Sequence, residues 1–281
     1  MTVINTNVKS LISQSALERN SRDLSKAMHQ LSTGKRINTA ADDAAGLAIS
    51  NRMTAQIRGL DQAIRNANDG ISMLQSTEGA LQEVTNMLQR MRELAVQSAN
   101  DTNTSVDRGY LQLEVVALQA EISRIAANTQ WNGMNITNSW ASANLSSAAF
   151  QVGANASQII NFAFKDVAAM TGVATAIGTT TLSIGNVTAA NSALASIDEG
   201  IAAIDGYRAS LGANMNRLTY AADNLTNIST NSSAARSRIL DTDYAKAASE
   251  LSRTQIIQQA ATAVLAQANV DQQSVLKLLQ G

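Results

Sequence analysis

The stretch Ile57-Arg58-Gly59-Leu60-Asp61-Gln62-Ala63-Ile64-Arg65-Asn66-Ala67-Asn68-Asp69-Gly70-Ile71-Ser72-Met73-Leu74 decides the fold. Ile57, Leu60, Ile64, Ala67, Ile71 and Leu74 fall alternately three and four residues apart, and Leu81 resumes the series past Glu78, which interrupts it. Such alternation is the apolar stripe of a helix lying along another helix. With a small shift it goes on through Val84, Leu88, Met91 and Ala95. The spacing predicts one helix from Ala44 to Ser98, about 80 Å long at 1.5 Å per residue. Just upstream, Thr39-Ala40-Ala41-Asp42 reads as a capping box that starts it, with Asp42 and Asp43 well placed against the helix dipole.

Beyond this helix, the polar run Asn100-Asp101-Thr102-Asn103 reads as a loop, and Thr104 with Asp107 as a second cap. Leu111, Val115, Leu118, Ile122 and Ile125 then recur at helical spacing, predicting an antiparallel helix over 105–128. A third seam, over 191–228, comprises Leu194, Ile197, Ile201, Ile204, Leu211, Met215, Leu218, Ala222 and Leu225, broken once by Arg208. Three long striped helices can bury one another, so the fold is read as mainly α, a long antiparallel coiled-coil bundle.

From about Asn128 to Ala190 the chain turns rich in Ser, Thr, Asn, Gly and Ala, with short alternating runs at Phe150-Gln151-Val152, Ile160 to Phe164 and Leu182-Ser183-Ile184. These predict a small β-hairpin region over about 130–190, too short for a large core of its own.

Both ends carry further stripes. Ile4, Val8, Leu11, Ile12, Leu17, Leu24, Met28 and Leu31 mark one, and Ala248, Leu251, Ile257, Ala261, Val264, Leu265 and Ala268 the other. Ser32-Thr33-Gly34-Lys35 and the run from Ser229 to Ala234 read as polar separators, and Gly34-Lys35-Arg36 as a hinge. A lone terminal helix with so little apolar surface does not offset the entropy of ordering its backbone. The ends are therefore expected to stay flexible in the monomer and to fold on assembly.

Composition agrees with helices. Hydrophobic residues make up 45% of the 281 residues but aromatics only 3%, and there is no proline to break a long helix. Absence of cysteine excludes disulfides and thiolate chemistry. With 21 basic and 22 acidic residues and no block of like charge, nucleic acid is not an expected partner. The N-terminal residues lack a signal peptide's basic start and apolar run, and the weakly polar stretch from Ala260 to Ala266 is too short to cross a bilayer.

No catalytic constellation emerges. His29 is the only histidine and reads as a solvated helix residue, Asp42-Asp43 lacks the spacing of a calcium loop, and Gly34-Lys35-Arg36 lacks the upstream glycine and the following Ser or Thr of a phosphate loop. No catalytic, cofactor or metal site is expected, and an enzyme is the distant alternative.

Leu31-Ser-Thr-Gly-Lys-Arg-Ile-Asn38 with Asp42-Asp-Ala-Ala-Gly-Leu-Ala-Ile49 resembles the N-terminal signature of bacterial flagellin. The resemblance continues in order through Asn66 to Ser72, Thr77 to Leu81, Leu88 to Asn100 and Thr129 to Gly133. At the far end it includes Ala235 to Ile239, Asp243-Tyr244, Gln258 to Ala260 and Val264 to Asn269. It covers roughly residues 1–137 and 191–281. One departure is Val270-Asp-Gln-Gln-Ser274, where many flagellins carry a proline.

The resemblance implies a short type with two domains. Residues 1–40 and 241–281 are the halves of D0, an inner tube packed through Val8, Leu11, Leu24, Leu31, Leu251, Ile257, Val264 and Leu265, and residues 41–240 are D1. It implies a helical homopolymer outside the cell, exported unfolded by the flagellar type III route without a cleaved signal. Chaperone, cap and hook-junction proteins are its implied partners, and no membrane insertion is implied. On D1, Gln89, Arg90, Glu93, Leu94, Gln97 and Glu114 match positions that pack protofilaments and, in some flagellins, contact the flagellin-sensing Toll-like receptor of animals. A hook–filament junction protein is the alternative within the flagellum, and an adhesin or host-signal ligand an additional role.

Overall fold

The structure, a computed structural model, describes residues 6–137, 147–177 and 182–280, with side chains on the last helix described to Val270. The elements in chain order are α1 Val8–Thr33, α2 Ala44–Ala99, α3 Ser105–Asn128, β1 Gln130–Trp131, β2 Met134–Asn135, β3 Ala148–Gln151, β4 Ile159–Phe162, α4 Val173–Ile177, α5 Val187–Leu240 and α6 Tyr244–Gln280. They form two compact units, Ile57–Ser229 and the combination of Met1–Gln56 with Thr230–Gly281. The boundaries between these units fall inside α2 and α5. Within the unit that holds the chain ends, the Arg236 guanidinium reaches the Thr54 hydroxyl at 3.3 Å and ties the last turns of α5 to the first of α2.

In the Ile57–Ser229 unit, α2, α3 and α5 bury the seams that the sequence marks. Leu74, Leu81, Val84, Leu88, Met91 and Ala95 of α2 share one core with Val115 and Ile122 of α3 and Ile197, Ile204, Leu211 and Leu218 of α5. Arg90 meets Glu114 while Ser98 meets Arg108, and Arg92 meets Asp198 while Glu78 meets Arg208, so α3 and α5 both run antiparallel to α2. The Thr104 capping box is present, its hydroxyl accepting from the Asp107 N–H while the Asp107 carboxylate accepts from the Thr104 N–H.

Two antiparallel hairpins lie in the middle of the chain, one pairing Trp131 with Met134 and the other Phe150 with Ile160. Phe162 of β4 stacks on Tyr207 of α5 at 6.1 Å between centroids and meets Phe164 edge-on at 4.8 Å. The strand expected at Leu182–Ile184 is irregular. Gln112 of α3 occupies its backbone, donating to the Leu182 carbonyl at 2.8 Å and accepting from the Ile184 N–H at 2.7 Å. A short α4, not foreseen, follows Gly172. A Cβ on Gly172, whose φ is +80°, would sit 2.3 Å from the Gly200 nitrogen, so the loop meets α5 backbone to backbone.

Three local expectations are corrected. The α2 cap is Asp43, whose carboxylate accepts from the Gly46 N–H at 2.8 Å. Asp42 instead closes the preceding turn, accepting from the Asn38 and Thr39 N–H groups and pairing with Lys26 at 3.3 Å. The Thr39 N–H is the main reason that its carboxyl is held below the usual range. The Ser229 to Ala234 separator is uninterrupted helix in α5, since it holds neither Gly nor Pro and Ser229 bonds Asp61 at 3.0 Å. The Gly34-Lys35-Arg36 hinge is fastened: Arg36 N–H donates to the Leu240 carbonyl at 2.7 Å and Thr242 N–H to the Gly34 carbonyl at 2.9 Å, an antiparallel bridge.

Candidate assembly surfaces

The chain ends meet as an antiparallel pair, α1 against α6. Asn7 caps α1, its side chain accepting from the Ser10 N–H, and Gly34 ends it in the left-handed conformation at φ +69°. Asp243 caps α6 by accepting from the Ala245 N–H at 3.0 Å. Between the helices, the Asn20 amide donates to the Thr254 carbonyl at 2.8 Å and the Asn7 amide to the Ala268 carbonyl at 3.1 Å.

Large side chains do not make this seam. Its buried positions are Asn20 and Ala27 on α1 and Ala247, Thr254 and Ala268 on α6, with Ser13 and Ala261 half-buried. They fall at sevens along each helix, and small residues at that spacing let two helices approach closely. Of the eight residues expected to pack the ends, Leu24, Leu31, Leu251 and Leu265 are half-buried beside the seam. Val8, Leu11, Ile257 and Val264 are exposed, so within one chain they do not pack. Ile12 and Ile256 are exposed too, at 65% and 66%. Val8, Leu11, Ile12 and Ile257 line one open groove, and Ile12 and Val264 border a second. Ile4 lies outside the described residues.

On the Ile57–Ser229 unit, Arg90 bridges the two long helices. Its Nε donates to Glu114 at 2.9 Å and its Nη1 to Glu93 at 2.9 Å, and these two carboxylates, Glu114 foremost, raise its pKa. Gln89 and Gln97 are exposed on the same stretch of α2. Leu94 is not part of this surface: it is 1% exposed and belongs to the core with Met91 and Ala95. Its position three residues after Met91 keeps it on the buried stripe, so the reading of Leu94 as an outward apolar anchor is corrected.

A second outward face escaped the sequence reading. Val106, Tyr110 and Leu113 of α3, all more than 60% exposed, lie four and three residues apart on the side away from Val115 and Ile122. The signal was available, because α3 carries two apolar stripes, and one helix buries only one of them in a three-helix bundle. Among the described residues no helix is long and apolar enough to cross a membrane, and no three metal-ligating side chains gather.

The bacterial flagellin N-terminal helical region matches residues 4–142, and the flagellin C-terminal helical region matches 194–279. A flagellin of Halalkalibacterium halodurans is 45% identical over 99% of this chain and its own full length. The flagellar filament 33 kDa core protein of Treponema phagedenis is 44% identical with the same coverage. The crystal structure of Bacillus cereus flagellin superposes with a TM-score of 0.51 at 31% identity, covering 61% of this chain and 94% of that one. A flagellar hook-associated chain from Vibrio parahaemolyticus shares the fold alone, at 15% identity and a TM-score of 0.57 over 71% of this chain. By both terminal regions and by these full-length relatives, the chain belongs to the bacterial flagellin family.

Proposed function

We infer that this chain is the structural subunit of a bacterial flagellar filament, an extracellular homopolymer that serves as a propeller for motility. The observation that carries the reading is the outward apolar face of the α1·α6 pair, formed by Val8, Leu11, Ile12, Ile257 and Val264. So many large apolar side chains on one slender helix pair are stabilised by neighbouring copies. Residues 1–40 and 241–281 then form D0 and residues 41–240 form D1. Leu24, Leu31, Leu251 and Leu265 steady the pair from within. Val106, Tyr110 and Leu113 add an apolar contact between copies.

Its role is structural, without a catalytic step. Export is unfolded and by the type III route, with a chaperone on the C-terminal helix and a cap at the growing tip. Gln89, Arg90, Glu93, Gln97 and Glu114 serve protofilament packing and, in the monomer, contact with the animal receptor, while Leu94 supports them from the core.

Filament yield tests the reading. Wild-type chain forms long filaments by electron microscopy, whereas I12S with V264S keeps its helix content and leaves little protein in the sedimented fraction. Equal yields, or rings in place of filaments, count against it.

A further inference from the structure

Asn20 is the one polar residue of α1 buried in the α1·α6 seam among the described residues, 7% exposed, and its amide is spent on a backbone carbonyl, that of Thr254, itself 1% exposed. The Thr254 hydroxyl is engaged elsewhere, donating to the Glu250 and Leu251 carbonyls within α6. The neighbouring seam positions are Ser13 and Ala27 on α1 and Ala247, Ala261 and Ala268 on α6. Seven residues on from Asn20 lies Ala27, and seven back from Thr254 lies Ala247; seven residues in the other directions lie Ser13 and Ala261.

The hydrogen bonds at Gly34 and Arg36 hold the pair at its joined end, but the seam beyond them, of small side chains repeated every seven residues, itself holds almost no information about register. Sliding α6 by seven residues sets alanine or serine against alanine again, with nearly the same burial. Asn20 breaks this degeneracy. In the observed register its amide has an acceptor within the seam, whereas a slide of one heptad carries the Thr254 carbonyl about 10 Å along the axis. The buried amide then loses that partner, and an unmade hydrogen bond in a seam is costly.

We propose that Asn20 is a register-determining residue, a buried polar lock that selects one alignment of the two chain ends and so fixes which side chains face outward from the pair. Asn7, bonded to the Ala268 carbonyl, assists at the open end, but it is less buried. The consequence for filaments rests on the reading of this pair as the assembly element; the lock itself does not. A shifted pair would present Val8, Leu11 and Ile12 against different positions of Ile257 and Val264. Neighbouring copies would then meet a variable surface.

The chain has no cysteine, so engineered pairs report cleanly. S13C with A261C reads the observed register, and S13C with A268C reads a register shifted by one heptad, too far apart for a disulfide otherwise. Ser13, shared by both pairs, lies two turns from Asn20 along α1. In otherwise wild-type chain, intrachain disulfide forms about ten-fold or more in favour of S13C with A261C, the ratio for about 1.4 kcal/mol. With N20L, circular dichroism shows the helix content retained, while the two cross-links approach equal yield. N20A, which adds no apolar bulk, behaves alike. Retention of the wild-type ratio in N20L overturns the proposal. Loss of both cross-links in N20L and N20A also overturns it, because Asn20 then supplies cohesion and not register. Failure of wild-type chain to form filaments is a separate result, bearing on the assembly reading alone.

Discussion

Glu78 and Arg208, the two charged residues that interrupt the apolar seams of α2 and α5, are partners. Arg208 Nε and Nη2 both lie 2.8 Å from Glu78 Oε1, and Nη2 also donates to Gln82 at 2.5 Å. The remaining Glu78 oxygen is buried without a hydrogen bond. Removing one partner therefore strands the other unequally. R208L leaves a carboxylate with no cation, while E78L leaves a guanidinium that keeps Gln82 and, at 3.8 Å, Asp205. The pair retains some solvent contact, so R208L is expected to cost about 1–3 kcal/mol in urea unfolding, more than E78L. The double change E78L with R208L restores an apolar seam and costs less than R208L alone. Additive single costs would refute the pairing as the source.

Tyr207 carries a second prediction. Its hydroxyl accepts from the Lys165 N–H at 3.1 Å, and burial pushes its pKa up from the ordinary 10.0 to about 12. The unfolded chain thus loses this proton first as pH rises. Stability from this group is intact below pH 10 and declines between pH 10 and about 12, by about 1.4 kcal/mol per pH unit. Y207F removes that alkaline loss, while at pH 7 it costs about 1 kcal/mol because the Lys165 N–H loses its acceptor. Thermal unfolding at pH 7 and pH 11.5 measures both effects. The smaller drop between the two pH values is expected in Y207F, and an identical drop rules out Tyr207 as its origin.

The long seams were legible because Leu, Ile and Val recur at three and four residues and no proline breaks them. The pairing of Glu78 with Arg208 was not, since a stripe shows where a helix is interrupted but not the alignment with a helix 130 positions away. Leu94 was legible in principle: the spacing from Leu88 and Met91 sets it inward, and family likeness drew it outward. The seam within the terminal pair was not legible for another reason. Large apolar residues attract attention, yet the faces that meet carry Asn20, Ala27, Ala247 and Thr254, because closeness between two helices favours small side chains. The bridge at Gly34–Arg36 rests on pairing between segments some 200 residues apart, which no local pattern carries.

Arg90 and Leu94 should now separate in experiment. Arg90→Ala removes exposed ion pairs, so melting temperature is unchanged, while receptor-reporter activity of the monomer falls if this face is the contact. Leu94→Ala empties a fully buried position and costs about 2–5 kcal/mol of bundle stability. Any loss of signalling in L94A therefore tracks its unfolding and recovers at lower temperature. Unchanged reporter activity in Arg90→Ala excludes this residue from the contact, and an unchanged melting temperature in L94A would contradict its burial.

The terminal pair makes the last prediction. Its seam buries Ala27, Ala247 and Ala268 beside Asn20 and Thr254, while Leu11, Ile12, Ile256 and Val264 face solvent. Alanine burial contributes much less than burial of Leu or Ile, and the backbone of two long helices must still be ordered. In the soluble chain, amides from Val8 to Leu31 are therefore expected to exchange much faster than those of α2 between Leu74 and Ala95, whose side chains fill the main core. In filaments the outward residues gain neighbours, and the same amides become slow. The difference between the two states measures how much of the pair's order is contributed by assembly. Strong protection of Val8 to Leu31 in the monomer would mean that the small-residue seam suffices alone, and coupling of folding to polymerisation would have to be abandoned.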